Sequence, residues 1–207
     1  NEHAAAFVAH GWTLSDDRPD AKVIVHPNNP TGHWYSADAL TAPLTIIDES
    51  FADVAPDRSL VGHAVRPGVV VLKSFGKFWG LAGLRLGFAI ATPDTVNRLA
   101  DLLGPWPVSG PALEIGRAAL RDQAWATDTR NRLSAEADRL DRLVTRTGAT
   151  VAGGCALFRL YHVDDAKALQ TQLAKHHIWT RIFPYSRHWL RLGLPAPDQW
   201  HRLEAAL

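Results

Sequence analysis

Short, wholly apolar runs alternating with helical patterns predict an α/β protein: a mostly parallel sheet flanked by helices, then a smaller C-terminal α+β domain. Three observations carry this. The runs at 21–26, 44–47, 69–73 and 86–91 lack the polar alternation of a half-solvated strand, so both faces should be covered. Helical or polar connections separate them. Beyond a Gly/Pro-rich break at 104–111 the pattern changes to long helices followed by short strands.

Taken in order, residues 2–10 form an alanine-rich helical segment closed by Gly11. The strand at 21–26 runs into Pro27-Asn28-Asn29-Pro30-Thr31-Gly32, a composition that fits only a turn. Ser36 is placed to cap a short helix through residue 40. The strand at 44–47 ends in Asp48-Glu49-Ser50, and a polar connection or short helix covers 57–65. Val69-Val70-Val71-Leu72 then leads into a segment holding a hydroxyl, Lys77 and four glycines, before the last run of this half. Pro93 opens a helix to about residue 103. Two further helices are expected at 112–121 and 124–146. The second carries Arg130, Arg132, Glu136, Asp138, Arg139, Asp141 and Arg142 as a solvated face opposite Leu133, Ala137, Leu140 and Val144. Residues 150–163 read as a hairpin or strand pair around Gly153-Gly154, and 164–176 as a helix capped by Asp164 or Asp165. Short strands at 179–183 and 189–194 and a terminal helix from 197 complete the chain, with the domain boundary expected at 123/124.

Composition excludes several classes. The formal charge of +1 and the lack of a basic block argue against nucleic acid, and the longest apolar runs fall far short of a membrane span. Cys155 is the one cysteine, so no internal disulfide is expected and a cytoplasmic location is the default. None of the ten histidines has ligand spacing with a carboxylate or cysteine, so no metal site is expected; His176-His177 read as a polar helix end. Of the eight tryptophans, Trp79 and Trp106 are the candidates for lining a site.

Asn29, Asp48 and Lys77 each stand at or just past the end of a different apolar strand, where open α/β sheets bind ligands. A lysine in that position is a candidate covalent catalyst, because desolvation frees its amine to attack a carbonyl. Taken singly, each residue also has a structural reading. Asn29 suits a turn and Asp48 a helix cap, Arg85 a surface ion pair, and Arg191 a side chain laid along an edge strand. Arg181 is a weaker second contact for an anion.

In order and spacing, Asn29-Pro30-Thr31-Gly32, Asp48-Glu49-Ser50-Phe51, Ser74-Phe75-Gly76-Lys77, Arg85 and Arg191 resemble the fold-type I pyridoxal-phosphate enzymes of the class I/II aminotransferase superfamily. The resemblance implies pyridoxal 5'-phosphate as cofactor. Lys77 would hold it covalently, Asp48 would pair with the pyridine nitrogen, and Asn29 with the phenolic oxygen. Ser74 and Arg85 would bind its phosphate, and Arg191 the substrate carboxylate. Residues 1–123 would be the C-terminal part of the large cofactor-binding domain and the start of the interdomain helices, and 124–207 the small domain. Many aminotransferases carry Tyr where Phe51 stands, and Phe51 has no hydroxyl for the phenolate.

The stretches 74–88, 104–112 and 189–195 are similar to the threonine-phosphate decarboxylase family of cobalamin biosynthesis, with histidinol-phosphate aminotransferases as near relatives. This implies an amino acid phosphate as substrate and decarboxylation of L-threonine O-3-phosphate; the alternatives are amino transfer on a phosphorylated substrate and a non-catalytic fragment. The family's Gly-rich phosphate loop and ring-stacking aromatic have no counterpart before Asn29, so the chain is expected to be a C-terminal fragment of a protein that is homodimeric at full length.

Overall fold

The structure is a computed structural model that describes residues 2–15 and 17–207. Two four-stranded sheets organise it. In the first, β1 (Ala21–Val25), β2 (Leu44–Asp48) and β3 (Val69–Ser74) run parallel, and β4 (Gly87–Ile90) pairs antiparallel with β3, in the order β1-β2-β3-β4. β-Branched side chains fill the middle of this sheet: Ile24, Ile47, Val69 and Val71 are buried in one cluster with Leu40 and Leu60. Register places Val25 beside Asp48 and Asp48 beside Leu72. The ladder continues past the strands through His26 N–H to Asp48 O at 2.8 Å and Glu49 N–H to Leu72 O at 2.9 Å. One edge of the sheet therefore presents the ends of β1, β2 and β3 side by side.

The second sheet is antiparallel, in the order β5 (Thr150–Cys155), β6 (Phe158–His162), β8 (Ser186–Gly193) and β7 (Arg181–Phe183). The helices are α1 (Glu2–Ala9), α2 (Pro93–Leu103), α3 (Gly110–Arg121), α4 (Gln123–Thr145), α5 (Ala166–Lys175) and α6 (Trp200–Ala206). Their ends follow local chemistry. Pro93 stands in the first turn of α2, Ser109 Oγ accepts from Ala112 N–H, and Asp165 accepts from the N–H groups of Lys167 and Ala168. No helix among the described residues is long and apolar enough to cross a membrane.

Four expectations are corrected. Ser36 caps no α-helix: its hydroxyl donates to Asp38, and Ala37–Ala39 make a single 3-10 turn. The 57–65 stretch agrees with its reading as a polar connection or short helix, holding two 3-10 segments, Pro56–Arg58 and Val61–Val65. All four residues of β4 are exposed, because β4 is an edge strand with no further strand beside it among the described residues. Gly153 and Gly154 are not the hairpin turn; they lie within β5 at a bulge, and the chain reverses at 156–157 instead. The charged face of α4 is solvated only in part: Arg132, Asp138, Arg139 and Arg142 are exposed, but several of its charges also meet protein. Arg130 donates to Asp53 O at 2.8 Å, Asp141 receives Arg159 and the Tyr161 hydroxyl, and Arg139 pairs with Glu204 while lying 4.3 Å over Trp200.

Candidate active site

The 27–33 turn is shaped by its own side chains. Asn28 Oδ1 accepts from the Thr31 hydroxyl at 2.8 Å, Gly32 N–H donates to Asn28 O at 2.6 Å, and Asn28 N–H donates to His33 O at 2.8 Å. This closure leaves Asn29 exposed on the turn, where its amide oxygen accepts a hydrogen bond from the Arg191 guanidinium. Arg191 stands on β8, directly opposite Arg181 of β7. Burial, and then the positive charge of Arg181, hold the Arg191 pKa below its ordinary value. Arg181 itself lies over Phe183, 5.9 Å from the ring centroid.

A ladder of aromatic rings joins Arg191 to Lys77. The Arg191 guanidinium lies 5.3 Å from the centroid of Phe158, Phe158 meets Phe51 edge to face at 5.2 Å, and Lys77 Nζ lies 5.6 Å from the centroid of Phe51. Phe51 follows β2 and Phe158 opens β6, so the two sheets meet through this ring pair. Phe158 is a site residue that sequence reasoning missed; an apolar residue at a strand start carries no signal of that role. Lys77 is exposed, in the turn beyond β3, so the expectation of a desolvated lysine does not hold for this chain.

Asp48 ends β2. One carboxylate oxygen accepts from Ser50 N–H at 2.9 Å and the Ser50 hydroxyl at 2.5 Å, and the other accepts from His3 Nε2 of α1 at 2.8 Å. It therefore caps a turn and not a helix. Ser74 closes β3, its Oγ accepting from Gly76 N–H at 3.1 Å. Arg85 is exposed in a left-handed conformation (φ 52°) after the Ala82–Leu84 turn, and donates to Ala82 O at 3.4 Å. The structure thus brings Asn29 to Arg191 and stacks Lys77 toward the same place. Among the described residues, no hydrogen bond or ion pair joins Lys77 to Asp48, Ser74 or Arg85.

Sequence reasoning also missed a buried charge cluster behind the strand ends. Glu49 is 0% exposed and accepts from Ser59 Oγ at 2.7 Å, Leu60 N–H at 2.6 Å and Lys73 Nζ at 2.7 Å. Lys73 also reaches Asp53 at 2.9 Å, and Asp53 accepts from Trp79 Nε1 at 2.8 Å. Burial works against the Lys73 ammonium, but the hydrogen bonds and charges of Glu49 and Asp53 outweigh it and raise its pKa. Trp79 is accordingly a buried member of this cluster, stacked on Phe75 and Trp125, whereas Trp106 is 92% exposed. Cys155 is buried, and burial pushes its thiol pKa up.

Comparison with known proteins places these residues in context. The family described as aminotransferase class I and II matches residues 7–206. The chain is 42% identical to a threonine-phosphate decarboxylase of Pseudomonas aeruginosa, over 100% of its own length and 68% of the relative's. It is 31% identical to a histidinol-phosphate aminotransferase of Archaeoglobus fulgidus, over 61% of its length and 39% of the relative's. Its fold superposes with a TM-score of 0.81 on the histidinol-phosphate aminotransferase of Sinorhizobium meliloti, solved in complex with pyridoxal-5'-phosphate; the identity is 22%, over 98% of this chain and 58% of that one.

Proposed function

We propose, starting from the fact that this chain belongs to the aminotransferase class I and II family, that it carries the cofactor lysine and substrate arginines of a pyridoxal 5'-phosphate enzyme. The enzyme decarboxylates L-threonine O-3-phosphate to (R)-1-amino-2-propanol O-2-phosphate, a reaction of cobalamin biosynthesis. One observation carries this reading: the likeness to the threonine-phosphate decarboxylase runs the whole chain and at higher identity than the likeness to the histidinol-phosphate aminotransferase.

The donor set fits the cofactor. An amide, a carboxylate, a hydroxyl and an amine stand at or just beyond three neighbouring parallel strand ends, with a guanidinium a few residues further on. Bound pyridoxal phosphate supplies an electron sink for the pair released when a bond to the substrate Cα breaks. Lys77 Nζ would hold the cofactor covalently, the Asp48 carboxylate would face its ring nitrogen, and Asn29 its phenolic oxygen. Ser74 and Arg85 would bind its phosphate.

The remaining work falls to this chain's side chains. Arg191 presents a planar fork of donors to the substrate carboxylate, with its orientation fixed by Asn29 and the Phe158 ring. Arg181, opposite it in register, supplies a second positive charge for the substrate phosphate. The pose in which Arg191 would hold the substrate carboxylate would decide whether CO2 or a proton leaves Cα. Lys77 Nζ then returns a proton to Cα. Phe51 places an apolar ring under that amine and offers no hydroxyl to compete for it.

The enzyme is a cytoplasmic homodimer when full length, and the large and small domains divide at 123/124, in the first turn of α4. Full-length protein given L-threonine O-3-phosphate is expected to release one CO2 per substrate consumed. Keto product without CO2 would sink this reading in favour of amino transfer on a phosphorylated substrate such as histidinol phosphate, which the aminotransferase likeness supports. Lys77→Ala should abolish both turnover and the near-visible absorption of the lysine-bound cofactor.

A further inference from the structure

The bulge in β5 brings backbone of the second sheet into direct contact with the turn that carries Asn29. Gly154 N–H donates to Thr31 O at 2.9 Å. The packing there leaves no room for a side chain on either strand of the contact. A Cβ on Gly153 would lie 2.1 Å from Thr31 O, and a Cβ on Gly32 would lie 1.9 Å from Gly154 O. In each case the obstructing atom is main chain, which cannot swing aside as the tip of a side chain could. Gly32 also has φ +71°, a conformation that L side chains rarely adopt. The register of β5 with β6 shifts between Val151 and Gly153, so the bulge turns this stretch away from regular pairing at the point where it meets the turn.

The same turn is attached to the second sheet a second time. Asn29, two residues before Thr31, accepts the hydrogen bond from Arg191 on β8. β8 is separated from β5 only by β6. The glycine contact and the Asn29–Arg191 bond therefore form two anchors of one short turn on one sheet. The main-chain anchor involves no group proposed to touch cofactor or substrate.

We propose that Gly153, Gly154 and Gly32 form a positioning latch: main-chain contact between the β5 bulge and the 28–33 turn sets where Asn29 stands against Arg191, and so sets the grip of Arg191 on the substrate carboxylate. This rests on the substrate role given to Arg191 above. The glycines act only through the turn. Displacing the turn moves Asn29 away from the guanidinium, which then loses the partner that orients it and holds the carboxylate less well.

The first test uses full-length wild-type protein and hydrogen exchange. The Gly154 amide and the 28–33 segment are expected to exchange slowly, with similar protection. Exchange of the Gly154 amide at the rate of an exposed loop would overturn the latch. The second test is Gly153→Ala. Exchange in 28–33 is expected to speed up by about tenfold or more, and the KM for L-threonine O-3-phosphate, read from initial rates of CO2 release, to rise by about tenfold. In an Arg191→Ala background the same glycine change should raise KM by less than about twofold, because the interaction it protects is already gone. Additive losses in the two backgrounds, or unchanged exchange and KM in Gly153→Ala, would overturn the proposal. Should Gly153→Ala not fold, the wild-type Gly154 exchange rate decides alone. A wild-type enzyme that releases no CO2 would defeat the decarboxylase reading without touching the exchange result, so the two failures are distinguishable.

Discussion

Asp48 has two carboxylate oxygens in different surroundings. One is saturated by Ser50, through its N–H and its hydroxyl, and the other meets only His3 among the described residues. The second oxygen is the one with room for a ring N–H, and His3 orients it. His3→Ala should therefore weaken cofactor binding by about 0.5–1.5 kcal/mol, about two- to tenfold, without unfolding the sheet. Fluorescence titration of the full-length protein measures this, and an unchanged dissociation constant would remove His3 from the site. Lys73 acts on stability and not on chemistry. Glu49 is fully buried, and Lys73 is the cation that compensates it. Lys73→Ala leaves that carboxylate with Ser59 and the Leu60 amide alone, and should cost about 3–5 kcal/mol of unfolding free energy by urea denaturation. Lys73→Ala together with Glu49→Gln should recover part of the loss; a double variant worse than Lys73→Ala would contradict the pairing.

The element that holds Asn29 in place depends on a neutral histidine. His26 is fully buried where β1 ends; its Nε2 donates to Arg58 O at 2.8 Å and its Nδ1 accepts from Tyr35 N–H at 3.1 Å. That pair of bonds exists only for the neutral ring with its proton on Nε2. Burial lowers the His26 pKa, against a smaller opposing effect of its bond to Arg58 O and of Glu49. The sign follows: above the unfolded-state value of about 6.5 the contribution is complete, and it is lost as pH falls from there through the lowered folded value. Unfolding free energy should drop between about pH 6.5 and 5 more steeply in the wild type than in His26→Leu. The variant itself should lose about 1–3 kcal/mol at pH 7.5, because it removes both ring hydrogen bonds, to Arg58 O and from Tyr35 N–H. Equal pH slopes in the two proteins would refute the assignment. The apolar runs of β1 to β3 and the Pro/Asn/Gly composition of this turn were legible in sequence because burial and backbone geometry constrain residue type directly. The partners of His26 were not, since Arg58 and Tyr35 meet it through main-chain atoms that every residue carries. The Gly153-Gly154 pair suits a tight turn and a bulge equally well, and only the neighbouring Thr31 backbone decides between them. The reading of the α4 charges as a solvated face missed Arg130 for a related reason: its partner Asp53 lies 77 residues away.

At the scale of the molecule, α4 is the shared wall of two cores. Its 23 residues span about 35 Å at the usual helical rise, enough to pass both sheets. Ala126 and Leu133, in its first half, pack with Phe75, Phe78, Trp79 and Leu86 beside the first sheet. Leu140 and Val144, in its second half, pack with Tyr161, Leu190, Leu173 and Trp200 against the second. Spacings of seven and four residues keep all four side chains on one stripe, so the helix cannot rotate to improve one core without opening the other. Arg130 at one end and the Arg159–Asp141–Tyr161 cluster at the other fix its azimuth by polar bonds. Leu140→Ala and Leu133→Ala should each cost about 2–5 kcal/mol, the range for truncating a buried leucine. The sharper expectation concerns where that loss appears. In a molecule whose cores share one rigid helix, hydrogen exchange in Leu140→Ala should accelerate in β1 to β3 as well as in β5, β6 and β8, and Leu133→Ala should show the reciprocal pattern. Acceleration confined to the sheet nearest each substitution would mean that α4 bends or frays between its two halves, and that the site between the sheets is held by the Thr31–Gly154 and Asn29–Arg191 contacts without help from the helix.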